Sequence, residues 1–305
     1  VKRFVILNIL ILTVILVACS MAEAKKPLRK NTIFSFIVTA DMRRFAGPEY
    51  QSSKYFLGTC EAVRKFGKGS FMVSPGDIDP PYHVLDTIKK VLGRDYLWYP
   101  VVGNHEAETP GDMAWLRNWG KKNIPNLTRK GPENGRETTY SFDFKNAHFV
   151  VINQYYDGKS DTGTDGDIPA PLFDWLADDL AVNSKPFVFV FGHEPFVSIP
   201  DFDNGRYRHK GDSLDAHPKN SYRFWKLIRR YGVTAFICGH THNLSLSKIN
   251  GVWQLDAGHS RGIGDAGAPS TFLKILVGEK TCWVDVYRDD GNGGAYALTH
   301  TIVLD

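Results

Sequence analysis

The feature that most constrains this chain is a set of short apolar runs that end abruptly in ligand-type residues. Ile33 to Thr39 runs into Ala40-Asp41, and Phe71 to Ser74 into Pro75-Gly76-Asp77. Trp98 to Val102 runs into Gly103-Asn104-His105-Glu106. Phe187 to Phe191 runs into Gly192-His193-Glu194-Pro195, and Thr234 to Cys238 into Gly239-His240-Thr241-His242. The runs are rich in Val, Ile and Phe and alternate poorly, as strands covered on both faces do. In α/β sheets, ligands gather beyond the carboxyl ends of such strands. Turns made for unrelated reasons do not all fall at strand ends, so the five polar tips predict one shared pocket. The glycines before Asp77, Asn104, His193 and His240 are expected to let the backbone turn sharply toward it.

Between the runs lie helix candidates: Ser53 to Lys65, Tyr82 to Leu92, Met113 to Trp119, Ala170 to Val182 and Ser221 to Tyr231. In Ala170 to Val182, Leu172, Phe173, Leu176 and Leu180 fall at helical spacing, with Asp174, Asp178 and Asp179 off the stripe. A further strand is expected over His148 to Ile152. From Leu244 onward strands take over: Leu244 to Ile249, Val252 to Ala257, Phe272 to Val277 and Cys282 to Tyr287. Nothing repeats and no low-complexity linker intervenes, so residues 31–305 read as one α/β domain of sheets covered by helices.

The polar tips have the ligand chemistry of two transition-metal ions: carboxylates, an amide oxygen and imidazoles suit Mn, Fe, Zn, Co or Ni, and no thiolate cluster is present. Two such ions roughly 3.5–4 Å apart clamp a phosphoryl group and activate water. Asp77 has two oxygens with which to bridge them.

Taken together and in order, the GD, GNHE, His193 and GHTH blocks resemble the calcineurin-like metallophosphoesterase superfamily, which includes purple acid phosphatases and cyclic-nucleotide phosphodiesterases. The resemblance spans Asp41 to His242 and includes the Trp175-Leu176 helix before strand Phe187 to Phe191. It implies a four-layer α-β-β-α sandwich of two mixed sheets flanked by helices. It also implies hydrolysis of phosphate mono- or diesters by a metal-bound hydroxide, without a covalent enzyme intermediate. Asp41, Asp77 and His242 would hold one ion; Asp77, Asn104, His193 and His240 would hold the other. His105 would face the leaving-group oxygen as a general acid or stabilise charge there, and Asn104 would also touch phosphate.

Two departures from the family pattern stand out. Where many members read Asp-x-His, this chain reads Asp41-Met42-Arg43, and an arginine cannot ligate a metal. Arg43 is a candidate for a phosphate oxygen instead. Where many members read Gly-Asp-x-x-Asp, Asp79 comes one residue early and Pro80 takes the place of the second carboxylate. What orients His105 is then open, with Asp79 a candidate. His259 follows a strand and is a further candidate for the pocket wall, as are the segments Glu106 to Thr139 and Phe196 to Asn220. His83, His148, His209, His217 and His300 read as structural or solvated. Asp157 to Asp167 lacks a full calcium-loop pattern and reads as a surface loop. A non-catalytic surface lipoprotein that binds metal or phosphate, with a degenerate first site, is the competing reading.

At the N-terminus, Lys2 and Arg3 precede an apolar run from Phe4 to Ala18 that is too short for a spanning helix and matches an export signal over residues 1–24. Leu16-Val17-Ala18-Cys19 resembles a bacterial lipobox, which would put a lipid anchor on Cys19 and the domain in the cell envelope. Ala22-Glu23-Ala24 offers an ordinary cleavage site, for a periplasmic protein. A basic linker, residues 25–30, follows. The remaining cysteines, Cys60, Cys238 and Cys282, are odd in number and define no disulfide framework. A formal net charge of +4 gives no ground for expecting nucleic acid as a partner.

Overall fold

The computed structural model describes residues 31–43 and 48–305. The export signal, Cys19 and the basic linker lie outside the described residues.

The chain runs through β1 (Thr32–Val38), α1 (Phe56–Phe66), β2 (Phe71–Pro75), α2 (Pro81–Leu92), β3 (Leu97–Val101) and α3 (Asn104–Glu108). It continues with α4 (Pro110–Asn123), β4 (Leu127–Lys130), β5 (Tyr140–Phe144), β6 (Ala147–Val151), α5 (Ala170–Val182) and β7 (Phe187–Phe191). Then come α6 (Pro218–Arg230), β8 (Ala235–Cys238), β9 (Leu244–Ile249), β10 (Val252–Ala257), β11 (Thr271–Gly278), β12 (Cys282–Arg288) and β13 (Ala297–Leu304).

The strands form two mixed sheets, ordered β13-β12-β11-β1-β2-β3 and β4-β5-β6-β7-β8-β10-β9. In the first, β1, β2 and β3 are parallel and β11 joins β1 antiparallel. In the second, β6, β7, β8 and β10 are parallel, with β5 and β9 antiparallel on either side.

The sequence of β7, Phe-Val-Phe-Val-Phe, shows why the sheets sit face to face. Its phenylalanines enter the core shared by both sheets, while Val188 and Val190 enter the core beneath α5 and α6. On the outer face of the other sheet, Ile37, Met72 and Trp98 pack against α1, α2 and α4 through residues such as Val63, Ile88 and Leu116. The result is the expected α-β-β-α sandwich. Its middle layer is aromatic: the Phe36 and Phe71 rings stack at 5.3 Å, and Phe149 from the opposite sheet meets Phe36 and Phe71 edge-on, each at 5.2 Å. Phe189 meets Phe36 at 5.3 Å. Each such contact contributes about 0.5–1.5 kcal/mol beyond the area it buries.

β4, β5, β13 and α3 were not expected. β4 reads Leu-Thr-Arg-Lys and β13 is mostly exposed and broken by Thr299, His300 and Thr301, so neither shows the apolar run that marks the others. α3 begins inside the Gly103-Asn104-His105-Glu106 block itself. α4 is longer than Met113 to Trp119 because Pro110 starts it at the position where a missing N–H costs nothing.

Candidate metal centre

All five polar tips meet at one edge of the sandwich. Asp41 follows β1, Asp77 follows β2 and Asn104 follows β3. His193 follows β7, and His240 and His242 follow β8. Ligand atoms of Asp41, Asp77 and His242 lie within 4.8 Å of one another, and all three residues are buried.

A second set adjoins them. His193 Nε2 lies 3.3 Å from Asp77 Oδ1, 3.2 Å from Asn104 Oδ1 and 3.2 Å from His240 Nδ1. The far nitrogens of both rings face backbone carbonyls: His193 Nδ1 lies 2.8 Å from the oxygen of Pro75, and His240 Nε2 lies 3.0 Å from that of Asp212. Those carbonyls only accept, so each ring places its proton there and turns its lone pair inward. Two lone pairs and two oxygens then face one another without a proton among them, an arrangement that a cation relieves.

Burial pushes the same way. It lowers the pKa of His193 to about 3 and that of His240 and His242 well below the usual imidazole value. All three rings are thus neutral, as ligation requires. Burial, then the charge of Asp77, raises the Asp41 carboxyl well above its ordinary range, and burial raises Asp77. A dication stabilises both carboxylates in their charged form.

The backbone is shaped for this convergence. Asp41, Asp77, His240 and His242 adopt φ of 55°, 51°, 70° and 59°, a region that non-glycine residues rarely occupy. Among the expected glycine turns only Gly76 has positive φ, at 82°. Gly239 is there for space: a Cβ on it would lie 2.4 Å from Asp41 Oδ2.

Glu106 and Gln154 were missed in the sequence and brace the site from behind. Glu106 is fully buried; Oε2 accepts the N–H of Asp77 at 3.0 Å and of Gly103 at 2.8 Å, and Oε1 that of Ile78 at 2.8 Å. It thus fixes the loops after β2 and β3 together. Gln154 Oε1 accepts the N–H groups of His193 and Glu194, both at 2.7 Å. Gln154 follows β6, so the strand-end rule that found the other tips points to it as well.

His105 is partly exposed, and its Nε2 lies 3.6 Å from Asp77 Oδ2. Asp79, the candidate to orient it, is placed beside Arg43 instead, with Oδ1 at 3.7 Å from Nε. Burial and then Asp77 raise its pKa to about 6. His259 needs correction: it is fully buried rather than on the pocket wall, its ring 6.1 Å from that of His242 and its Nε2 2.9 Å from the Ala268 carbonyl. His209, read as structural or solvated, packs at a tilt against His240, their ring centroids 4.1 Å apart. It lines a cavity of about 450 Å³ with Asn104, Glu108, Glu194, Asp212 and His240. Thr162, Thr164 and Asp165 line it too, so the Asp157 to Asp167 segment is part of the pocket wall. Arg117 anchors that segment through Asp161 at 2.8 and 2.5 Å. Cys60, Cys238 and Cys282 are buried free thiols.

Two facing sheets with a buried carboxylate–imidazole centre at their shared edge define a metallophosphoesterase. The chain belongs to the calcineurin-like phosphoesterase family, whose sequence model matches residues 34–244. It is similar to tartrate-resistant acid phosphatase type 5 of Rattus norvegicus, 28% identical over 174 residues, covering 52% of this chain and 47% of that protein. The Homo sapiens counterpart is 25% identical over 166 residues, with the same shares of the two chains covered. The chain therefore spans about half the length of the curated relatives it matches. Among solved structures, PhoD superposes with a TM-score of 0.61 at 12% identity, covering 88% of this chain and 69% of that one. GAP50, the anchor in the inner membrane complex of Plasmodium, superposes at 0.52 with 16% identity, covering 87% and 88%. These two likenesses bear on the fold.

Proposed function

We propose that the chain hydrolyses phosphate mono- or diesters at a centre of two transition-metal ions. The observation that carries this reading is the proton-free convergence of Asp77, Asn104, His193 and His240 beside the Asp41–Asp77–His242 cluster. Asp41, Asp77 and His242 would hold one ion, and Asp77, Asn104, His193 and His240 the other. Such ions, when bound, polarise phosphoryl oxygens and make a water acidic enough to attack near neutral pH.

The chain's own residues supply the rest. His105, at the mouth of the centre, donates a proton to the departing oxygen. Asn104 presents its amide nitrogen to a phosphoryl oxygen while its carbonyl oxygen turns inward. Arg43 takes another phosphoryl oxygen, in the position where many family members have a metal-binding histidine. Glu106 and Gln154 keep the loops from shifting as charge moves. Family membership and the similarity to acid phosphatases support this chemistry.

The test is purified chain, stripped of metal and reloaded with Mn, Fe, Zn, Co or Ni, given 4-nitrophenyl phosphate and bis(4-nitrophenyl) phosphate. Turnover that follows metal content, with two ions per chain at saturation, is expected. Binding of metal without turnover of either ester under any ion would favour a non-catalytic binding protein.

A further inference from the structure

On the His242 side of the centre, three guanidinium groups crowd one carboxylate. Asp265 Oδ2 lies 3.1 Å from Arg206 Nη2, 3.3 Å from Arg261 Nη2 and 3.5 Å from Arg208 Nη1. Among the described residues, Asp265 is the only carboxylate within 4.0 Å of any of the three. The same oxygen lies 2.7 Å from His242 Nδ1. Asp265 is the nearer carboxylate to the ring, since Nε2 lies 3.5 Å from Asp41, so the proton sits on Nδ1 and goes to Asp265. That nitrogen then cannot accept from the arginines, although Arg208 Nη1 and Arg261 Nη2 press against it at 2.5 and 2.8 Å. Arg206 Nη1 and Arg261 Nε are also buried without an acceptor. Three positive charges thus face one negative charge already shared with a histidine.

Each arginine keeps a solvent face, with side chains 22%, 32% and 12% exposed for Arg206, Arg208 and Arg261. The opposite side of the centre has the reverse charge. Glu108, Asp165 and Asp212 line the cavity beside Asn104 and His240. An anion is repelled there and drawn to the arginines, whose planar forks match the oxygens of a phosphate.

We propose that Arg206, Arg208 and Arg261 form an anion subsite beside the metal centre, and that it selects phosphoesters carrying a second phosphate group. The selection of substrates rests on the phosphoesterase reading above; the binding of the second phosphate does not.

The test compares adenosine 3′,5′-bisphosphate with adenosine 5′-monophosphate, which differ by one phosphate. With the metal-stripped full chain, calorimetry should show the bisphosphate binding about tenfold more tightly or better, a difference that shrinks as salt is raised. Arg208→Gln and Arg261→Gln should each reduce that preference severalfold. Arg208 is the more exposed of the two, so a folding failure at Arg261 leaves Arg208 to decide. Equal affinities for the two nucleotides in the unaltered chain, or a preference unmoved by either substitution, overturns the subsite. With the reloaded enzyme, kcat/KM should favour the bisphosphate in the same order. Hydrolysis of 4-nitrophenyl phosphate without any bisphosphate preference sinks the subsite and leaves the phosphoesterase reading standing. A metal-free preference in a chain that hydrolyses nothing does the opposite.

Discussion

Arg288, at the end of β12, grips Asp201 with both prongs of its guanidinium, Nη1 to Oδ1 at 3.1 Å and Nη2 to Oδ2 at 2.8 Å. The pair joins the two halves of the sandwich, since β12 belongs to one sheet and Asp201 follows the His193 loop at the end of β7 in the other. Asp201 Oδ2 also accepts the N–H of Leu244, and the Asp201 N–H reaches the carbonyl of Arg206 at 2.8 Å. The segment that carries Arg206, Arg208 and His209 is therefore tied to the frame at its root. Replacing Arg288 with Leu strands a buried carboxylate and should cost about 3 kcal/mol. Urea unfolding of the metal-free chain measures this; a change within 0.5 kcal/mol, the range of an ordinary surface substitution, would contradict the clamp.

Glu106 takes three backbone N–H groups on two oxygens, and a glutamine has one acceptor oxygen to offer them. Glu106→Gln should therefore loosen the loops that carry Asp77 and Asn104 and lower metal affinity by about tenfold to a hundredfold. Metal content after dialysis against graded chelator gives the answer.

If His105 supplies a proton and does not ligate, His105→Ala should lower kcat by about a hundredfold or more while metal content persists. Asp77→Ala should do the reverse and strip both ions. Loss of metal in the first variant, or retention of both ions in the second, would reassign these residues.

How much of this was legible before the fold was known follows from where each signal resides. The six converging side chains stand at the ends of apolar strands, where a run of Val, Ile and Phe breaks into glycine and a ligand. That is a local pattern, carried by a few consecutive residues at each strand end. Glu106 and Gln154 also stand just past strand ends, but what they brace is backbone of loops distant in sequence, a contact that no local pattern shows; Asp265 and the three arginines stand in loops with no periodicity to mark them. His259 and His209 exchanged roles for a related reason. His259 follows a strand but turns inward to the Ala268 carbonyl, whereas His209, far from any strand end on the β7–α6 connection, is brought against His240. β4 and β13 lack a continuous apolar run, because β4 carries Arg129 and Lys130 and β13 is broken by Thr299, His300 and Thr301.

His148 offers a test of pH dependence away from the centre. Burial opposes its charged form, but Asp179 at 2.9 Å and Asp143 at 2.7 Å outweigh burial and raise its pKa above 6.5. A group whose pKa rises on folding lends stability that is complete below its unfolded value and fades as pH climbs through the folded one. The chain should thus lose an increment of stability between pH 6 and pH 9 that His148→Gln lacks. Unfolding free energies at the two pH values, compared between the two proteins, isolate it; equal losses would show that the imidazole stays neutral throughout.

The aromatic layer between the sheets has a consequence for any ions the centre would hold. Asp41, Asp77 and Asn104 hang from one sheet and His193, His240 and His242 from the other, so opposite jaws of the grip are held apart by Phe36, Phe71, Phe149 and Phe189. Facing sheets pack about 10 Å apart, a gap set by what fills it. These rings act as a calliper. A phenylalanine trimmed to leucine deep in the interior would narrow the jaws and alter which ionic radius they favour, with every ligand still in place.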